Sequence, residues 1–137
     1  MNKTQNPENY LNYAEKIVRS MYESKVWGKL NILLYPKETE NTIKETKDWL
    51  TLNKKYYKGI SASPFILYLN GKYTQKFIHN TGILPNYEFL YSHGYTYIDL
   101  SSEIDANKAK KVCNDIFYEY MGRKNYEDLK SICYTSI

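Results

Sequence analysis

The chain reads as an α+β fold with a ferredoxin-like βαββαβ core, one extra helix before it and two after it. Three observations carry that reading. Stripes of helical period alternate with short apolar runs of strand type. Asn70-Gly71 stands between two such runs, the strongest local signal for a tight hairpin. The resulting order, helix, then β-α-β-β-α-β, then two helices, matches a split βαβ unit in its middle six elements. At 137 residues, 42% hydrophobic and 25% charged, the chain is globular in composition and is expected to form one domain spanning residues 1–137.

Asn6-Pro7-Glu8 opens the first helix, with a capping residue, a proline suited to the first helical position and an acid at the positive end of the dipole. Leu11, Ala14, Val18 and Met21 share one face, Ile17 lies beside them, and Tyr10, Tyr13 and Tyr22 widen the stripe; the helix is expected to end near Ser24. Leu30 to Tyr35, closed by Pro36, reads as a strand, and its apolar character on both faces suggests a central position. Thr42 and Glu45 have capping-box spacing, with Thr39 an alternative cap, at the start of a helix carrying Ile43, Trp49 and Leu50 and running out near Tyr56.

Phe65 to Leu69 and Lys72 to Phe77 form the expected hairpin. A two-residue turn places Tyr68 opposite Tyr73 and Phe65 opposite Lys76, so that one face holds Phe65, Leu67 and Leu69 with Lys72, Thr74 and Lys76. His79 to Leu84 is a loop. Pro85 starts a short helix with Tyr87, Phe89 and Leu90, stopped by Gly94, and Tyr95 to Leu100 alternates as a strand. Ser102 or Asp105 caps the last long helix, whose stripe of Ala109, Val112, Cys113, Ile116, Phe117, Tyr120 and Met121 is the clearest in the chain. Gly122 breaks it, and Asn125 caps a final short helix with Leu129, Ile132 and Cys133.

The stretch from Ala62 to Tyr68, with Asn70-Gly71-Lys72, resembles the cis-proline strand and following hairpin of the thioredoxin family. The resemblance implies such a proline at Pro64 and such a hairpin after it. It does not extend to chemistry: no CxxC occurs, and Pro36-Lys37-Glu38 stands where the redox motif would follow the first strand.

Composition narrows the function further. The net charge of +4 permits an acidic partner or nucleic acid but demands neither, and 17 lysines against 2 arginines disfavour base reading by arginine forks. Tyrosine, at 16 residues, is abundant, and its large amphipathic ring suits interfaces; together with the Lys, Asn and Ile content it fits a phage, virus or mobile element of low-GC genome. Cys113 and Cys133 sit on apolar helical faces and read as buried thiols. The absence of a long apolar run or a leader-like N-terminus leads us to expect a cytoplasmic protein without membrane contact.

No catalytic motif emerges, and no cofactor or metal is expected: two histidines, His79 and His93, fall short of a zinc set. Asp99, Glu103 and His93 are the only set that could serve a small hydrolase or nuclease. The best binding constellation is Lys54, Lys55, Tyr56, Tyr57 and Lys58, joined across the hairpin by Lys72, Tyr73 and Lys76; lysines attract phosphates and tyrosines offer stacking platforms. The sequence therefore points first to a non-catalytic protein-binding module or small inhibitor, self-association into a homo-oligomer included, and second to a nucleic-acid-binding protein. Tyr118, Tyr120, Tyr126 and Tyr134 could extend such a surface.

Overall fold

The computed structural model describes residues 7–26, 28–72 and 74–121. Among them are helices α1 (Pro7–Glu23), α2 (Glu40–Asn53), α3 (Thr74–Thr81), α4 (Tyr87–His93) and α5 (Ala106–Ile116), and strands β1 (Lys29–Leu34), β2 (Gly59–Pro64), β3 (Ile66–Tyr68) and β4 (Tyr95–Tyr97). The architecture is α+β, but the described strands form two small two-stranded sheets rather than a ferredoxin-like four-stranded one. β1 and β2 are direct parallel neighbours, Lys29 opposite Gly59 through Leu34 opposite Pro64, so no strand is inserted between them as a split βαβ unit requires.

The expected hairpin does not form. β3 pairs antiparallel with β4, Ile66 opposite Tyr97 and Tyr68 opposite Tyr95, while Thr74 to Thr81 turns into helix α3. A type I′ turn needs positive φ at both central residues, and neither Asn70 nor Gly71 has it. Instead the Tyr68 carbonyl accepts the Gly71 N–H at 3.0 Å and the Thr74 hydroxyl at 2.7 Å, and the Gly71 carbonyl accepts the Thr74 N–H at 2.9 Å. Gly71 is needed for close approach: a Cβ there would lie 2.7 Å from Thr74 Oγ1. The helix also brings Phe77 onto Phe65, with ring centroids 4.8 Å apart, where a hairpin would have placed Lys76. The peptide before Pro64 is trans, so neither feature implied by the thioredoxin resemblance is present.

Local signals set the helix ends. Thr39 caps α2, accepting the Thr42 N–H at 3.2 Å while the Thr42 hydroxyl accepts the Thr39 N–H at 2.9 Å, so a threonine closes the box rather than Glu45. Asn86 caps α4 and Asp105 caps α5. Gly94, at φ 78°, ends α4 with its N–H on the Leu90 carbonyl.

The core has two lobes. Leu34, Ile43, Leu67, Ile98, Leu100, Ile104, Ala109 and Cys113 form one; Leu50, Tyr57, Ile60, Ile116, Tyr120 and Met121 form the other. Ile32, Ala62 and Val112 touch both. Helix α5 spans the lobes, then widens into a π turn over Phe117–Met121 that keeps Tyr120 and Met121 on its buried side. The final helix expected from Asn125, with Leu129, Ile132 and Cys133, lies outside the described residues, as do Tyr126 and Tyr134.

Candidate functional site

The Lys/Tyr constellation divides into two parts. Its first part gathers where the 3₁₀ turn Lys54–Tyr56 meets the end of α1. The Tyr56 ring takes Arg19 at 5.0 Å and Lys55 at 4.8 Å from its centroid, and Tyr22 meets it edge-on at 5.6 Å. Tyr56 therefore holds cations at its face, as expected of a ring with negative potential there. Lys54 turns the other way: its Nζ donates to the Glu119 carbonyl at 3.0 Å and lies 5.7 Å from the Tyr120 ring centroid. Lys58 joins Tyr22, Glu23, Lys25, Val26 and Tyr56 around an open recess of about 420 Å³.

Tyr57 lies inside. Its hydroxyl donates to the Leu50 carbonyl at 3.1 Å and its ring belongs to the second core lobe, so burial pushes its phenol well above the usual tyrosine range. Tyr120 behaves alike: its hydroxyl donates to the Lys47 carbonyl at 2.9 Å, and burial raises its phenol.

Lys72 and Lys76 stand elsewhere. Lys72 follows β3 and Lys76 is on the exposed side of α3, whereas Lys58 precedes β2. Between them run two strands that belong to different sheets, β2 beside β1 and β3 beside β4. Tyr73 lies outside the described residues.

The acid and histidine set is likewise dispersed. Asp99 Oδ1 accepts the Ala106 N–H at 2.8 Å at the start of α5, and Glu103 Oε2 accepts the Glu40 N–H at 3.0 Å at the start of α2. Both carboxylates satisfy the unpaired amides of a helix N-terminus. His93 is at the opposite end of β4, stacked on Phe89 at 3.9 Å with Nδ1 2.7 Å from the Ser92 hydroxyl. Among the described residues no three His, Cys, Asp or Glu side chains converge as a metal set, and no helix is long and apolar enough to cross a membrane.

Helix α1 presents a surface that the reading of the stripe as a core face did not foresee. Of the expected core face only Val18 is buried, while Leu11 is 53% exposed. Tyr10, Tyr13 and Ile17, at i, i+3 and i+7, are exposed by 53%, 64% and 42%. The signal was in the sequence: an apolar arc running from Tyr13 round to Tyr22 is wider than one contact can bury. Arg19 is held beside the stripe by an ion pair with Glu15.

No known family, curated protein or solved structure matches the chain.

Proposed function

We propose that the chain is a non-catalytic protein-binding module, a small inhibitor or interaction module, whose contact surface is the exposed stripe of α1. The observation that carries this reading is the presentation of Tyr10, Leu11, Tyr13 and Ile17 to solvent on one helix. Together they leave on the order of 400 Å² of side-chain surface open, the size at which apolar patches on monomers are often functional. Such a helix supplies i, i+3 and i+7 anchors to a groove, and tyrosines are favoured as interface anchors. The test is affinity capture from the native host with the wild-type chain beside Ile17→Glu. A protein retained by the first and lost by the second supports the reading; identical captures would refute it.

A second reading, nucleic-acid binding, draws on the gathering of Arg19, Lys25, Lys55 and Lys58 around Tyr56 and Tyr22. It predicts a salt-dependent affinity for single-stranded oligonucleotides that falls on Lys55→Glu with Lys58→Glu. Absence of binding at low salt would end it. Because Tyr56 carries cations on its ring, Tyr22 is the ring this reading needs for stacking.

A further inference from the structure

Strand β1 has an edge whose pattern is complementary to itself. The carbonyl of Gly28 takes the Gly59 N–H and that of Leu34 takes the Phe65 N–H. Alternation along a parallel ladder then sends Leu30 and Ile32 to β2 as well, so the main-chain groups of Lys29, Asn31 and Leu33 point away from β2. Among the described residues no strand borders β1 on that side. The side chains of the same three residues are exposed. No proline, bulge or inward charge interrupts the edge; Lys29, at its start, is the one protective residue among those six.

We infer that β1 pairs antiparallel with β1 of a second copy, about a two-fold axis through Asn31, joining two β1–β2 sheets into one four-stranded sheet. The outward residues select this register. With the axis at Asn31, Asn31 meets its own copy and Lys29 meets Leu33 twice, all as hydrogen-bonded pairs, for roughly six main-chain bonds in all. Asn31 Oδ1 accepts the Ser61 hydroxyl within its own chain, which leaves the Nδ2 donors and a second lone pair on Oδ1 to meet the same amide of the other copy. The lysine stem covers Leu33, which is 53% exposed on one copy alone, while its ammonium reaches solvent. An axis at Lys29 would set ammonium against ammonium and use only the strand's end. An axis at Leu33 would set Lys29 against Lys37, a like-charge pair, and the Lys37 N–H is already donated to the Leu100 carbonyl.

The experiment is mass measurement of the full chain by sedimentation from micromolar to millimolar concentration. The wild type is expected to move from 16.3 kDa toward twice that mass. Asn31→Pro removes an outward main-chain donor and the side-chain acceptor of the Ser61 hydroxyl but leaves the main-chain bonds to β2, so it is expected to stay monomeric with an unchanged far-ultraviolet spectrum. Leu33→Lys sets lysine against Lys29 of the other copy and is expected to weaken association at least tenfold at low salt. Adding Lys29→Glu to it creates two opposite-charge pairs and is expected to restore the dimer, which decides the matter even if the proline variant unfolds. A wild type that stays at monomer mass, or a dimer indifferent to both Leu33→Lys and the charge swap, overturns the inference. So does a dimer that dissolves on Ile17→Glu instead, since that would place the contact on α1.

Discussion

Helices α1 and α5 carry similar stripes and meet opposite fates. On α5, Ala109, Cys113 and Ile116 are buried at 0%, 3% and 0% exposure, and the stripe continues into Tyr120 and Met121 at 6% each. Among the described side chains of α1, Val18 alone is buried, at 5%. The difference is position, since α5 lies across the β1–β2 sheet and both core lobes, whereas α1 meets the 3₁₀ turn through Arg19 and Tyr22. Amphipathicity alone therefore says that a helix has something to bury, not that it buries it within its own chain.

The sharpest way to break this comparison is to truncate one residue from each helix. Ile116 is fully enclosed, so Ile116→Ala is expected to cost about 3 kcal/mol in urea unfolding, transfer and cavity together. Ile17→Ala is expected to cost a few tenths. Equal losses would mean that α1 is as much a part of the core as α5.

The next effect follows from Cys113 on α5, which burial pushes from an ordinary 9.0 to about 11. Below pH 9 the thiol is protonated in both states and its contribution to stability is fully present. Between 9 and 11 the unfolded chain loses this proton first, so native stability falls as pH rises through the folded value. Two units correspond to about 3 kcal/mol at most. Tyr57, raised in the same sense, extends the fall to higher pH. Unfolding titrations should show a shallower decline between pH 9 and 11 in Cys113→Ala than in the wild type. Parallel curves would show that the thiol is hydrated.

Local caps come third. Thr39→Ala removes the acceptor for the Thr42 N–H and keeps its own N–H on the Thr42 hydroxyl, and Asp105→Ala removes the acceptor for the Lys108 N–H at 2.7 Å. Each is expected to cost about 1 kcal/mol in urea unfolding. These features were the most legible in the sequence because they depend on residues three apart: Thr39 and Asp105 were both among the expected caps. The stripe of α5 was legible for the same reason. Topology was not. Asn70-Gly71 is a strong local hairpin signal, yet it yields to the Thr74 hydroxyl on the Tyr68 carbonyl and to Phe77 stacking on Phe65, contacts that need the folded chain. The binding constellation is divided for the same reason. With no hairpin, Lys72 and Lys76 are carried to the far end of the β2–β3 segment, and Tyr57 goes inward because a carbonyl on α2 awaits its hydroxyl. Apolar on both faces, β1 reads as central in the sequence, but among the described residues its one strand neighbour is β2 and Leu33 is exposed; an edge strand can be as apolar as a central one if something later covers it.

The smallest effect on stability belongs to α1, and it is the most informative. Tyr13 is the most exposed residue of the stripe, at 64%, so Tyr13→Ala is expected to change unfolding free energy by no more than about 0.5 kcal/mol. If the stripe is a contact surface, the same change removes a tyrosine anchor, and hot-spot aromatics typically cost about 2 kcal/mol or more when truncated, a thirtyfold loss of affinity for the captured partner. The two measurements separate the explanations for an exposed apolar helix. Stability and binding both unchanged would mean that the stripe is incidental. Both lost would mean that α1 packs against its own chain in solution. Binding lost with stability intact is the outcome that sets α1 apart from α5, with one helix closing the core and the other held out for a partner.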